Sequence, residues 1–597
     1  MKINFRAYPK IVILIIVIIL LATSLIGCSL FDTLKDLVTF DVFTDSLFEA
    51  LLDGDGLGIN VLIDDPYKYN FENKNIHVSL PVESSSVYTE NRENTNNGID
   101  NIITVLKSFK NLTRDEEITR DVTVKALSNA KTSTVYYLEE FIGANGPAAD
   151  VPSNLGMFRF KTEEDIQIYL QYLVDLSNAF PKYSEFERNK CLSGYGRSDD
   201  FYERAVNAYR NIAPINIQNA DHNFVTDFND KIDTIDFLLF DSNKEAYKMQ
   251  NLNAVSNLLD AYRIMADSTQ ALISDFPSNT RNQNGLAAFL SGADYYNEIF
   301  KKSSGTELSI GGAEAKLISY ISDIILQIQQ SMPVDLEDLL NQIYNAPGNA
   351  FTIENATTIY NRLKDDMSAD FPYFNSNSTT TFKLLKQSEQ KTFVAGYYIR
   401  TPIDNLNAQE TIYINPNVQE SSLYNLISHE GFPGHLYQNT YLKNKNVNKL
   451  RLLFSNTGWA EGWAEYCEEY AAEYFADDPL IQDAYRILVL DSKLSMALRC
   501  LADIKVNYYD YSLDELSAYM ETTLALSFSN EEYQNFIDVA GTFPGLYLPY
   551  TFGDIMMKET KEKFFNHSPS AADLDFHKKL LEIGPIDFVS LQQYIYS

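Results

Sequence analysis

The sequence predicts a mostly α-helical protein, with one large multi-helix domain and a small antiparallel β-sheet beside a cleft. Most long segments repeat apolar residues at helical spacing, as the run from Ile166 to Leu176 does. Two short segments, Thr392–Ile399 and Thr411–Ile414, are instead rich in the β-branched and aromatic residues that strands favour. The chain has 597 residues, 45% of them hydrophobic and 13% aromatic, so it can bury a large core.

The N-terminal segment, residues 1–27, differs from the rest of the chain. Basic residues precede an apolar run, and a small residue and a cysteine follow it: Lys2, Arg6, Lys10, Ile11–Leu21 and Leu25-Ile26-Gly27-Cys28. This order is typical of a secretory signal, and its end resembles the lipobox of bacterial lipoproteins. The resemblance implies that Cys28 carries an acyl chain such as palmitate and becomes the mature N-terminus.

An uncleaved membrane helix is the alternative for this segment, since Ile11 to Gly27 reaches the lower limit of a spanning length. Both interpretations place the rest of the protein outside the cytoplasm. The lipoprotein interpretation also predicts attachment to the bacterial cell membrane through the lipid.

Three regions follow the signal. A tether and a first helix occupy 28–60, a helical region occupies 61–385, and the region 386–597 contains the candidate site. The two predicted strands lie at the start of the last region, and helices resume after them.

Two helices of the second region have clear ends. Thr162 to Asp165 has the pattern of a capping box, which predicts a helix through Leu176 that Pro181 ends. Gly311-Gly312 and Pro333 bracket another helix.

The charge and the cysteines limit the possible partners. Acidic residues outnumber basic ones by 81 to 48, and the net charge is −33, which argues against binding to nucleic acid or to anionic lipid head groups. Apart from Cys28, the cysteines Cys191, Cys467 and Cys500 form no CxxC pair. A metal site here therefore needs carboxylates and some of the six histidines.

Two of these histidines end the stretch His429-Glu430-Gly431-Phe432-Pro433-Gly434-His435. Ser421 or Ser422 can cap the helix that delivers His429 and Glu430. In a straight helix His435 would lie about 240° round from His429. Pro433 lacks a backbone donor, and glycine permits angles that a helix forbids, so a bulge or kink can return His435 to the same place.

Residues 459–469 read WAEGWAEYCEE and offer carboxylates on a following helix. Glu461 and Glu468 share one face, and Glu465 lies one turn from Glu461, so Glu461 or Glu465 can complete a set with the two histidines. Two histidines and one glutamate leave a coordination position open, as catalytic zinc sites do. The alternatives are that the histidines cap or pack a helix and that the acidic run is a solvated face.

These two motifs, together with Gln438, resemble the bacterial domain-of-unknown-function family 885, which is grouped with the gluzincin-like metallopeptidases. The resemblance covers most of the mature chain. It implies a zincin-like core, one Zn²⁺ per chain and hydrolysis of peptide substrates.

The resemblance also implies roles for single residues. His429, His435 and Glu461 would hold the metal, Glu430 would be the general base, and Glu468 would support the ligands. Glu465 matches no family position and stays an alternative ligand or a supporting residue.

Two further candidates concern an oxyanion. Where the family usually has a histidine, this chain has Asn507, which keeps a donor but changes its charge and reach. Tyr550 follows Pro544-Gly545 in a segment that resembles the family, and its hydroxyl could donate to a tetrahedral oxyanion, although packing is the alternative.

We expect a peptide substrate to pair with the edge of the strand Thr411–Ile414. Two other functions stay open. A solute-binding lipoprotein would usually alternate strands and helices in two lobes, and a metal-binding protein without activity is the interpretation that Asn507 keeps open. The sequence does not specify an oligomeric state.

Overall fold

The computed structural model describes residues 39–131, 135–237, 241–385, 395–418 and 422–596. The helices before the sheet are α1 (Phe40–Leu52), α2 (Gly56–Leu62), α3 (Ser85–Ser108), α4 (Arg114–Ala130), α5 (Val151–Met157), α6 (Glu163–Leu192), α7 (Asp199–Ile212), α8 (Asn223–Thr234), α9 (Asp241–Asp275), α10 (Gly292–Ser304), α11 (Ile310–Ser331), α12 (Leu336–Tyr344) and α13 (Ile353–Asp366). The chain is thus mostly helical, as predicted.

The sheet and the later helices complete the described chain. They are β1 (Thr379–Leu384), β2 (Gly396–Ile399), β3 (Gln409–Ile414), α14 (Leu423–Glu430), α15 (His435–Asn444), α16 (Lys449–Leu453), α17 (Thr457–Ala472), α18 (Pro479–Asn507), α19 (Leu513–Leu524), α20 (Asn530–Thr542), α21 (Leu548–His567), α22 (Asp573–Ile583) and α23 (Phe588–Tyr594).

The predicted signal with Cys28 lies outside the described residues, as do Thr392 to Val394 of the predicted first strand. Within the described residues, no helix combines the length and the apolar character that a membrane crossing needs.

Helix α6 continues past Pro181 to Leu192, so the prediction that Pro181 ends it was wrong. The predicted capping box of Thr162 and Asp165 is present. A proline inside a helix costs about 3 kcal/mol because one backbone hydrogen bond is lost. Each large apolar side chain that is buried contributes about 1.5–3 kcal/mol, and such side chains lie on both sides of the proline: Leu173, Leu176, Phe180, Tyr183 and Phe186. This burial outweighs the cost.

The three-stranded sheet is mixed and not antiparallel, which corrects the prediction. Its order is β1-β3-β2, with β3 antiparallel to β2 and parallel to β1. Strand β1 was not predicted from the sequence, because its run of threonines contains few of the apolar residues that indicate a buried strand. Since β3 is the central strand, Thr411–Ile414 has no free edge for a peptide, and the edges belong to β1 and β2.

The largest buried core surrounds the elements that carry the two motifs. It takes Ile118, Val122 and Ile343 from the predicted region 61–385 and packs them with residues such as Phe432 and Trp463 from the later region. The two predicted regions therefore share one core around the candidate site.

Helix α1 also packs against the later region. Thr39 caps it by accepting a hydrogen bond from the backbone N–H of Val42. Phe43, Leu47 and Phe48 are buried in a cluster that includes Leu450 of α16. The first helix is thus an integral part of the fold.

Candidate metal centre

Helix α14 delivers the first histidine. The Ser422 hydroxyl accepts a hydrogen bond from the N–H of Asn425 at 3.2 Å, and Ser421 lies outside the described residues. Leu423 and Ile427 are fully buried on the inner side. This burial leaves His429 and Glu430, both half-buried, at the end of the helix.

The motif brings His435 back beside His429 because one helix ends and another begins within it. Helix α14 ends at Glu430, and α15 begins at His435. A Cβ atom on Gly434 would lie 1.7 Å from the carbonyl oxygen of His429, so only glycine fits there. The Trp463 indole N–H donates to the carbonyl oxygen of Pro433 at 3.0 Å, which ties the interrupted segment to α17.

Three ligand atoms converge at this point. Oε2 of Glu461 lies 3.6 Å from Nε2 of His429 and 3.4 Å from Nε2 of His435. The two imidazole rings are nearly perpendicular, with centroids 4.8 Å apart. The sequence had left the choice between Glu461 and Glu465 open, and Glu461 is the glutamate that lies near both histidines.

These distances fit a tetrahedral zinc ion. Zinc binds histidine nitrogen at about 2.0–2.1 Å and carboxylate oxygen at about 2.0–2.2 Å, so two ligand atoms of one tetrahedral ion lie about 3.4 Å apart. The measured separations of 3.4 and 3.6 Å agree with that value. Three protein ligands leave one position of the tetrahedron for water or substrate.

Glu468 binds Nδ1, the other ring nitrogen of His429. Nδ1 of His429 donates to Oε1 of Glu468 at 2.6 Å, and the Asn425 amide donates to Oε2 of the same carboxylate at 2.7 Å. Because Nδ1 carries the proton, Nε2 of His429 is directed to the position beside Glu461. A carboxylate in this place orients a metal-binding histidine and raises its basicity.

Charges within the cluster compensate the cost of burial. Burial alone would lower the pKa of His429, but its hydrogen bonds to Glu461 and Glu468 outweigh burial and raise the pKa. For Glu461 burial would raise the pKa, whereas the hydrogen bonds from His429 and His435 hold it well below its usual range.

Glu465 lies near His429 and Glu468, in a group that does not include His435. It is buried, and its Oε2 has no hydrogen-bond partner among the described residues. Burial first, and the charge of Glu468 second, raise the pKa of Glu465 to about 8. Burial and the neighbouring carboxylate thus favour the protonated form of Glu465.

The sheet positions Glu430. Its Oε2 accepts a hydrogen bond from the backbone N–H of Tyr398, on the edge strand β2, at 2.9 Å. Its charge raises the pKa of both His429 and Tyr550. No sequence pattern indicated Tyr398, because its role depends on where the sheet meets α14.

Tyr550 and Asn507 differ in position. The ring of Tyr550, in the first turn of α21, lies 6.5 Å from the His429 ring, and burial, followed by the charge of Glu461, raises the pKa of its phenol. The Asn507 amide instead donates to Oδ1 of Asp503 and to the carbonyl oxygen of Ala540 and accepts from the N–H of Leu286. Both amide hydrogens of Asn507 are thus used within the core, and the structure does not bring them to the cluster.

The family of the chain is identified by comparison with known proteins. A family of bacterial proteins of unknown function, DUF885, matches residues 86–594, and the chain belongs to this family. None of the curated proteins compared with the chain matches it in sequence.

Two solved structures share the fold. One is a protein of Colwellia psychrerythraea, provisionally described as a lipoprotein, with a TM-score of 0.74 and 17% identity over 94% of this chain and 99% of that one. The other is a protein of Shewanella oneidensis, provisionally described as a lipoprotein of unknown function, with a TM-score of 0.61 and 13% identity over 94% of this chain and 100% of that one.

Proposed function

We propose that the protein is a zinc-dependent hydrolase of peptide bonds, held by a lipid on the outer side of the bacterial cell membrane. The observation that carries the proposal is the approach of Nε2 of His429 and Nε2 of His435 to one oxygen of Glu461, at 3.6 and 3.4 Å. Glu430 lies beside this set and is held by the sheet instead of by the ligands.

His429, His435 and Glu461 would hold the zinc ion, with Glu468 and Asn425 orienting His429. Zinc in such a site polarises a carbonyl group and lowers the pKa of water to about 7. A zincin-like core, which the motifs imply, would place a scissile peptide bond between the cluster and β2.

Glu430 is the general base of the proposed reaction. The N–H of Tyr398 fixes one carboxylate oxygen of Glu430, and the other oxygen takes the proton of the attacking water and passes it to the leaving amine. Tyr550 donates its phenolic hydrogen to the oxyanion of the tetrahedral intermediate, since a phenol is protonated at neutral pH.

Two observations support the location. The N-terminal segment ends in Leu25-Ile26-Gly27-Cys28, which resembles a lipobox. The two proteins of the same fold are both provisionally described as lipoproteins.

The test combines metal analysis with Glu430→Gln. We expect about one zinc ion per chain in the wild type and in Glu430→Gln, because the glutamine keeps the size of the side chain and touches no ligand. Cleavage of a broad peptide library should fall by about 10²–10⁴ in rate, the usual contribution of a general base.

Glu473→Gln is the matched control, since Glu473 is exposed after the last turn of α17 and should change neither quantity. Wild-type cleavage by Glu430→Gln would remove Glu430 from the mechanism. A wild-type chain with full zinc occupancy that cleaves no peptide would favour a metal-binding protein without this activity.

A further inference from the structure

Two arginines stand apart from the others in this acidic chain. Among the described residues, every other arginine forms an ion pair or donates a hydrogen bond that compensates its charge. Arg400 and Arg499 have neither an ion pair nor a hydrogen bond with a described residue. With 81 acidic against 48 basic residues, a guanidinium without a carboxylate partner is unexpected.

Arg400 directly follows the edge strand β2. Ile399 pairs with Thr411, so the next pair in the register sets Arg400 opposite Glu410. The Glu410 carboxylate nevertheless accepts from three other groups, the Tyr398 hydroxyl at 2.7 Å, Oγ1 of Thr401 at 2.8 Å and Nζ of Lys443 at 2.9 Å.

These bonds leave Nη2 of Arg400 buried without an acceptor among the described residues. Burial also lowers the pKa of Arg400. Protein interiors normally pair such a group, because an unpaired buried donor loses its bonds to water and gains none.

Arg499 lies on α18 against two aromatic rings. Its guanidinium carbon is 5.9 Å from the centre of the Phe536 ring and 5.6 Å from that of Tyr547. Contact with ring faces leaves the N–H groups at the edge of the guanidinium plane available to a planar anion.

Each arginine is linked to a residue that faces the candidate metal centre, Arg400 through its own strand and Arg499 through a ring contact. Arg400 comes two residues after Tyr398, whose N–H binds Glu430. Tyr547, against which Arg499 packs, precedes Tyr550 by about one helical turn, and the Tyr550 ring faces His429.

We propose that Arg400 and Arg499 bind a carboxylate group of the substrate. The inference rests on the proposed function, because it takes the substrate to be a peptide. The planar fork of N–H donors in arginine matches a carboxylate, and a net charge of −33 would otherwise repel an anionic peptide from the site. The carboxylate can be the free C-terminus of the peptide or an aspartate or glutamate side chain.

The test measures peptide binding by fluorescence anisotropy in Glu430→Gln, so that cleavage does not interfere. Four tetrapeptide pools of otherwise uncharged sequence, each labelled with an uncharged fluorophore, are compared: free C-terminus, amidated C-terminus, amidated with one Asp, and amidated with one Asn. We expect either the free C-terminus or the Asp pool to bind about tenfold or more tightly than its uncharged match. The preferred pool identifies the source of the carboxylate.

Further variants then show which arginine causes the preference for the charged pool. They are Arg400→Gln, Arg499→Gln and the double variant, each made in Glu430→Gln. The double variant should bind the charged and uncharged pools equally. Arg486→Gln is the matched control, because Arg486 lies on the same helix as Arg499 but forms a surface ion pair with Glu473, and it should keep the full preference. If Arg400→Gln does not fold, Arg400→Lys keeps the charge without the fork and should show a reduced preference.

Equal binding of all four pools by the starting protein would overturn the proposal, and so would a preference that survives in the double variant. Either result leaves the metal content and the cleavage assay unaffected, so the failure of this inference and that of the proposed function are distinguishable.

Discussion

At the scale of the residue, the three glutamates Glu461, Glu465 and Glu468 of α17 have different surroundings. Glu461 faces Nε2 of both histidines, and Glu468 accepts the hydrogen bond of Nδ1 of His429. Glu465 lies near His429 and Glu468 and has a raised pKa. Seven residues of helical spacing thus set Glu461 and Glu468 on opposite sides of one imidazole.

Binding of zinc should therefore depend more on Glu461 than on Glu465. We expect Glu461→Gln to lose bound zinc, because its amide oxygen is a much weaker ligand than a carboxylate. Glu465→Gln should retain it. Metal content of the purified variants, measured by mass spectrometry, checks this expectation, and the opposite pattern would move the third ligand by one turn of α17.

His577 illustrates a buried histidine with a structural role. Its Nδ1 hydrogen-bonds the carbonyl oxygen of Asp370 at 2.7 Å, its Nε2 accepts from the Tyr466 hydroxyl at 2.8 Å, and its ring stacks on Phe371. Burial lowers the pKa of His577 from 6.5 to about 4.

This shift predicts a loss of stability in acid. Above pH 6.5 His577 is neutral in both the folded and the unfolded states, so it contributes no pH dependence. Between pH 6.5 and 4 only the unfolded state takes up the proton, so the free energy of unfolding should fall by about 3 kcal/mol and then level off.

Urea unfolding at a series of pH values measures how steeply the free energy of unfolding falls as the pH is lowered. His577→Gln should reduce this slope, whereas His567→Gln, at an exposed position, should leave it unchanged. An equal slope in wild type and His577→Gln would refute the assignment.

At the scale of the element, glycine sets how closely α17 and α21 pack. A Cβ atom on Gly462 would lie 2.4 Å from the backbone carbon of Gly553, and one on Gly553 would lie 2.2 Å from the carbonyl oxygen of Gly458. These helices carry Glu461 and Tyr550, so their separation positions both groups. Glycines in the middle of helices were the sequence signal for this close approach.

Gly462→Ala should destabilise the protein by about 1–3 kcal/mol, since the added methyl group meets backbone that cannot move aside. The matched control is Gly311→Ala in α11, where no atom lies within 4 Å of the added Cβ and the helix should gain up to about 1 kcal/mol. Thermal unfolding compares the two variants. A neutral Gly462→Ala would show that α21 shifts without cost.

Elements with strong local signals were predictable. The capping box at Thr162 and the helix after Gly311-Gly312 are present in the structure. The end of a helix at Pro181 was predicted wrongly, because the burial of neighbouring side chains continues the helix past the proline. Strand β1 was not predicted because its three threonines, although β-branched, do not form an apolar run, and its pairing with β3 stabilises it as a strand.

At the scale of the whole molecule, the fold is shared with proteins of 17% and 13% identity. Helices from both predicted regions supply one core around the candidate site. At such low identity the likeness extends to the fold, and the local chemistry of this chain has to be tested on its own residues.

The attachment of the whole protein to the membrane should depend on Cys28. We expect Cys28→Ala to abolish acylation and to leave the protein in the aqueous phase of a detergent partition, whereas Cys191→Ala, at a buried thiol, should still partition with the membrane. The N-terminus and its mass, determined on the purified protein, check the claim. A mature N-terminus at another residue would contradict it.

The sequence by itself indicated the helical class, the family and the histidines and glutamates of the candidate metal cluster, because these depend on periodicity and on two short motifs. The tertiary structure alone decided that Glu461 is the glutamate near both histidines, that Tyr398 holds Glu430 and that Asn507 is used in the core. It also left Nη2 of Arg400 without an acceptor among the described residues. The physical reason is that hydrogen-bond partners and burial come from segments far apart in the chain, whereas spacing within one helix is local.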